Sequence, residues 1–364
     1  MKVIVSRKEF ADALKNVLKG TAVKPMTPIL AGVYLKAEGS TLEMQATDYT
    51  IGITTKIPAV AEESGETVII GKKLFEMVLK LTGDTLTLKA DDTNAEIRSA
   101  GTKYNLFVIN PADFPKMQDE ETTKEISLTQ RKMKNLLKKT VYAAADDKET
   151  SRPIFTGALF KAEGEKLTVA ATNTHRIAIV YDKLDEPISD FEYLIPAKTL
   201  QEVLGMLSEE GKIKIAFTEK NANLIFDNMK VRTRLIAGNF PNFDNLLNEE
   251  KNIEVQVSTQ EFFEAIERVA IIAKETEYHT VNLDFEEKEI KISSNSAEVG
   301  KAEEIVQAEI EGGDLQISFN YKYLTDVLKV IDAEKICVKM SEKLKPIEFQ
   351  EEDYRYVVTP VRTA

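Results

Sequence analysis

One cysteine, two histidines and no tryptophan occur among 364 residues, and each shortage removes a class of protein. A lone Cys337 cannot build an intramolecular disulfide framework or a cysteine-rich zinc site, and it fits a reducing compartment. His175 and His279 are the only imidazoles, with no metal-binding His-x-x-x-His spacing and no nucleophile placed to pair with them. No phosphate-cradling glycine loop and no Gly-x-Gly-x-x-Gly after a strand is present. No apolar run approaches the roughly 18 residues of a membrane span. The opening Met-Lys-Val-Ile-Val-Ser-Arg is too briefly apolar for a signal peptide. The expectation is a chain with no catalytic residue, no cofactor, no metal and no membrane partner.

What is present is an ordinary globular balance, 43% hydrophobic and 30% charged. At about 100–200 residues per domain the length predicts two or three domains. The net charge of −12 argues against loose adhesion to nucleic acid, yet leaves room for a locally basic surface.

The chain repeats itself. Residues 28–48 (PILAGVYLKAEGSTLEMQATD) match 153–173 (PIFTGALFKAEGEKLTVAATN) at about ten of 21 positions, including a Lys-Ala-Glu-Gly turn. A second register recurs three times, superposing Lys73, Lys198 and Lys322, then Val78, Val203 and Val327, then Leu79, Leu204 and Leu328, each on an amphipathic helix. A third opens each unit with a short strand, then Ser6, Thr129 or Ser258, then a helix on which Phe10, Met133 and Phe262 coincide, as do Leu14, Leu137 and Ile266. Ser6 with Glu9, and Ser258 with Glu261, have capping-box spacing. Asp-Phe-Pro at 113–115 and Asn-Phe-Pro at 239–241 close the first two units, and polar stretches at 118–124 and 248–252 read as linkers. These registers predict three domains, 1–120, 121–249 and 250–364, each of two helices on antiparallel strands, an α+β fold. Asp48 and Asn173 share one repeat position. Replacement of a carboxylate by an amide there points to turn formation rather than catalysis.

Charge sorts by element. The six predicted helices (7–19, 72–80, 130–139, 197–207, 260–274 and 322–331) carry +9 together, leaving −21 on strands and loops. Helices gathered on one side would present a basic surface to phosphates within an acidic molecule. Neither an aromatic stacking platform nor an Arg/Asn/Gln reading face accompanies the lysines, so the contact implied ignores base sequence.

The triple repeat, Ala-Thr-Asn-Thr-His-Arg-Ile-Ala at 171–178, Phe-Pro at 240–241 and the terminal Val-Val-Thr-Pro-Val-Arg at 357–362 together resemble the bacterial sliding clamps, the beta subunits of the DNA polymerase III holoenzyme. The resemblance implies a non-catalytic processivity factor: a head-to-tail homodimer closed into a six-domain ring around duplex DNA, cytoplasmic and associated with the nucleoid during replication. Size arithmetic agrees. Domains of about 120 residues are about 35 Å across, so three enclose a hole of only about 5 Å and six one of about 35 Å, which admits a duplex.

Position by position, the resemblance implies a dimer interface of Tyr104 and Leu106 against Ile271 and Ile272, and DNA-facing Lys24, Lys73, Lys198 and Lys322. It implies a peptide cleft between the second and third domains at Thr172, Thr174, His175, Arg176, Ile177, Pro241, Leu246, Asn320, Tyr323, Leu344, Pro346, Val357, Val358, Thr359, Pro360, Val361 and Arg362. Short motifs of the polymerase alpha subunit, the clamp loader delta subunit, repair and translesion polymerases, mismatch-repair proteins and ligase are the partners implied. Two departures from the family bear on that cleft: Thr174 stands where glycine is common, and Thr363-Ala364 extends the end. A scaffold that never encloses DNA, or a hydrolase using the carboxylate-rich loops, are the competing readings. The recurrent lysine speaks against the first and the missing nucleophile–base pair against the second.

Overall fold

The computed structural model describes residues 1–22, 24–117 and 120–362. Among them the α-helices are α1 (Arg7–Val17), α2 (Gly71–Lys80), α3 (Gln130–Thr140), α4 (Ala197–Leu204), α5 (Asp244–Leu247), α6 (Thr259–Ala273) and α7 (Tyr321–Leu328). Hydroxyl caps start three of them. Ser6 Oγ accepts from the Glu9 amide at 3.4 Å, Thr129 Oγ1 from Lys132 at 3.2 Å, and Ser258 Oγ from Glu261 at 3.4 Å. Each helix then buries one stripe. Phe10, Met133 and Phe262 are inaccessible, as are Leu14, Leu137 and Ile266 and, in the second register, Val78, Val203 and Val327. Each such side chain contributes about 1.5–3 kcal/mol by leaving water, which is why these positions recur. Four helices end earlier than expected, α1 at Val17 and α6 at Ala273 by a residue or two, α4 at Leu204 and α7 at Leu328 by most of a turn. Gly205, a weak helix former, follows α4 directly.

The strands pair antiparallel throughout the described ladders and form three sheets. The Lys-Ala-Glu-Gly turn recurs because Gly39 and Gly164 take the same left-handed conformation, φ 59° and 60°. Packing gathers the chain into two units, Met1–Met133 with Glu202–Leu235, and Lys134–Gln201 with the chain from Ile236 on. The first unit holds a five-stranded sheet ending on the edge strand Thr102–Phe107. It also holds an eight-stranded sheet in which Ile51–Pro58 joins Met229–Arg234. The second unit holds one ten-stranded sheet, in which Arg176–Pro196 joins the last strand, Tyr354–Val358. Ladders thus run from one repeat into the next.

In the two stretches expected to be linkers, Gln118 and Asp119 lie outside the described residues, and the neighbouring chain makes tertiary contacts. In the first, Glu120 binds Thr218, Asn221 and Arg232. In the second, Lys251 Nζ meets the inaccessible Glu348 at 2.8 Å, and Arg355 binds the same carboxylate. These tertiary charge pairs are invisible to local composition. Among the described residues no helix is long and apolar enough to cross a membrane.

Candidate functional site

A five-residue turn in the second unit organises the site. Asn173 Oδ1 accepts the amides of His175 and Arg176, both at 3.1 Å. Thr172 Oγ1 donates to the Arg176 carbonyl at 2.7 Å and accepts from the Thr174 amide at 3.1 Å. This is the turn-forming role expected of Asn173 and its repeat mate Asp48. It forces Thr174 to φ 77°, a left-handed conformation in a β-branched residue.

The turn aims Arg176 inward, where its guanidinium donates to Asp326 at 2.6 Å and to the Tyr142 carbonyl at 2.6 Å, beneath the Tyr323 ring at 4.7 Å. Burial alone would lower the pKa of this cation. The facing Tyr356 and Asp326 outweigh it and raise the value above the ordinary one. Burial likewise pushes the Tyr142 and Tyr354 phenols well up, so the 2.5 Å contact between them is between neutral hydroxyls at neutral pH. Tyr356 donates to the Tyr323 carbonyl at 2.8 Å, and the Tyr323 ring stacks beside His175 at 6.3 Å. The chain end is pinned alongside: the Thr359 amide donates to the His175 carbonyl and the Val361 amide to the Ser318 carbonyl, each at 2.8 Å.

Two adjoining cavities result, sharing Thr174, His175 and Thr359. The smaller, about 240 Å³, is walled by Phe155, Thr172, Arg176, Ile177, Pro241, Asn242, Phe243, Leu246 and Val357. The wider, about 740 Å³, is walled by Glu277, Tyr278, His279, Asn320, Tyr323, Leu344, Pro346, Pro360, Val361 and Arg362. The structure therefore gathers into one groove all the residues of the expected cleft but one. Val358 is fully buried and lines neither cavity, a correction that strand alternation explains, since its neighbour Val357 faces the groove. The extension Thr363-Ala364 lies outside the described residues. Sequence reasoning missed Phe155, Asn242 and Phe243, although the Pro-Ile-Phe repeat and the residues after Phe-Pro pointed near them. Glu277 and Tyr278 carried no signal at all, and His279 was read only as an unplaced imidazole.

The other expected positions lie elsewhere. Lys73, Lys198 and Lys322 stand exposed in the first turns of α2, α4 and α7, Lys73 paired with Glu76 at 2.8 Å, and Lys24 is exposed in its loop. Tyr104 and Leu106 are half-buried on Thr102–Phe107, whose outer edge pairs with no other described strand. Ile271 is 66% exposed on α6 and Ile272 half-buried, so neither is core. Cys337 offers no nucleophile. Burial, followed by its hydrogen bond to Glu254, pushes the thiol up to about 11.

The comparisons with known proteins follow this geometry. The family models of the DNA polymerase III beta subunit match in order along the chain: the N-terminal domain at residues 1–118, the central domain at 127–242 and the C-terminal domain at 244–362. The chain belongs to the DNA polymerase III beta subunit family, the sliding clamps. It is 31% identical to the beta sliding clamp of Bacillus subtilis strain 168 over 379 aligned residues, covering all of both chains. A solved sliding clamp from Bacillus subtilis superposes with a TM-score of 0.94 at 30% identity. A DNA polymerase III beta subunit from Eubacterium rectale gives 0.93 at 26%, and a Pseudomonas aeruginosa clamp bound to griselimycin 0.93 at 25%, each over the whole of both chains. The α+β architecture of three clamp domains is thereby established. Beta sliding clamps are non-catalytic processivity subunits of the DNA polymerase III holoenzyme.

Proposed function

We propose that two copies of this clamp close head to tail into a six-domain ring around duplex DNA and tether partner proteins through the groove. The domains are those of the repeat, 1–120, 121–249 and 250–364. Two unpaired sheet edges carry the ring. Thr102–Phe107 is one, with Phe107 86% exposed. The other is residues 300–307 of Gly300–Glu311, which pair with Glu289–Ser296 on one side only. Ile305 on that edge is 53% exposed, and α6, bearing Ile271, packs against the strand through the 2.9 Å contact of Arg268 with Glu304. Unpaired strand edges with exposed apolar side chains invite pairing and are rarely left bare. A second copy covers both, with Tyr104 and Leu106 meeting Ile271 and Ile272. Lys24, Lys73, Lys198 and Lys322 face the phosphates, steering and centring the duplex without reading it. The ring works in the cytoplasm, on the nucleoid.

The groove takes an extended segment with one aliphatic and one bulkier apolar anchor, matched to its small and wide chambers. The polymerase alpha subunit, the clamp loader delta subunit, repair and translesion polymerases, mismatch-repair proteins and ligase supply such segments. Affinity is on the order of micromolar, because the peptide must be ordered as it binds. Tyr323→Ala, or removal of the chain from Pro360 on, abolishes anisotropy-detected binding of a fluorescein-labelled peptide carrying a leucine and a phenylalanine, while the dimer persists in sedimentation. Undiminished binding in both variants contradicts the groove assignment.

A further inference from the structure

The smaller chamber of the groove has a counterpart inside the first unit. There Gly52 faces Arg232 across the ladder as Ile177 faces Val357 in the second unit. The same turn precedes it. Asp48 Oδ1 accepts from Thr50 and Ile51 at 2.8 and 2.9 Å, and Tyr49 at φ 74° stands in the place of Thr174. The Arg234 amide reaches the Thr50 carbonyl at 3.3 Å, as Thr359 reaches His175. Counting on from the two Phe-Pro pairs, Met117 takes the place of Phe243 and Glu120 that of Leu246.

The walls, however, are exchanged. The Met117 sulfur lies so close over Gly52 that a β-carbon at that position would collide with it. It takes the place that the Ile177 side chain itself occupies in the grooved unit. Glu120, in place of one apolar wall, binds Arg232, which replaces the other. The same carboxylate accepts from Thr218 Oγ1 and Asn221 Nδ2, each at 2.8 Å. Those two residues flank the hairpin loop that in the second unit carries Leu344 and Pro346. Burial opposes this carboxylate, yet the three donors hold it below its usual range, so it stays ionised and bound at neutral pH.

We propose that Met117 and Glu120 act as a built-in ligand that seals a second docking groove, so each chain offers partners one groove instead of two. The inference rests on the peptide-docking reading of the open groove. The thioether over Gly52 and the Glu120–Arg232 ion pair replace the aliphatic walls that an incoming aliphatic anchor would pack against.

The test is stoichiometry with the full-length chain and the leucine- and phenylalanine-bearing peptide. Wild type binds one peptide per chain and Tyr323→Ala none. Adding Met117→Ala, Glu120→Leu and Arg232→Val raises these to two and one. Counts unchanged by the triple substitution overturn the seal, whereas a wild type that binds no peptide overturns the groove reading itself. A second measurement needs no variant. In native protein, peroxide should oxidise Met117 at least tenfold more slowly than Met26, which is fully exposed, with or without bound peptide. Equal rates overturn the seal.

Discussion

Thr174 shows how a single backbone angle records a functional turn. At φ 77° its β-branched side chain sits where glycine is at ease, and the Asn173 and Thr172 bonds hold it there. A left-handed non-glycine residue costs roughly 1–2 kcal/mol, part of which the greater freedom of unfolded glycine takes back. Thr174→Gly is therefore expected to stabilise the protein by about 1 kcal/mol, read from urea unfolding. A loss of stability would mean that the hydroxyl or methyl matters more than the strain. Cys337 makes a second residue-level prediction. With the thiol pushed up to about 11 by burial and the Glu254 carboxylate, the thiolate is scarce at neutral pH. Iodoacetamide labelling of native protein should be slow at pH 8 and accelerate only as pH approaches 11. Rapid labelling at pH 7 would contradict the half-buried, hydrogen-bonded environment.

Under the proposed ring, helices and strand edges decide assembly. Replacing Ile271 and Ile272 with aspartate should yield monomers in sedimentation at micromolar concentration, because unpaired carboxylates would be buried against Tyr104 and Leu106. A dimer that survives the double substitution would move the interface elsewhere. The helices themselves were legible in the sequence, since caps and apolar stripes are local signals repeated three times: Ser6, Thr129 and Ser258 open helices whose Phe10, Met133 and Phe262 are all buried. The groove was legible only through family resemblance, because its walls come from distant stretches that no local pattern joins. Carrying over residues 357–362 as a block included Val358, which strand alternation turns into the core. Glu277 and Tyr278 escaped notice, and His279 was read only as an unplaced imidazole, because their place depends on tertiary bonds, such as the Tyr321 amide to the His279 carbonyl at 2.9 Å. The same blindness made the stretches around Glu120 and Lys251 look slack when both are fastened by charge.

The molecule as a whole is acidic, at −12, with lysines at equivalent places on three helices. Such a protein should hold short linear duplex weakly, and ever more weakly as salt rises, because each phosphate contact releases a counterion. A closed ring on a nicked circle has no end to leave by, so its retention depends on ring opening. Under the proposed ring, substituting Lys73, Lys198 and Lys322 together is expected to impair loading and sliding more than retention. The decisive measurement is gel filtration of labelled clamp loaded on nicked circular DNA, at a salt concentration that erases binding to linear duplex, before and after the circle is cut. Enclosure predicts that the clamp travels with the intact circle and is lost on linearisation. Equal retention on circle and cut DNA would show an ordinary DNA binder and contradict the ring.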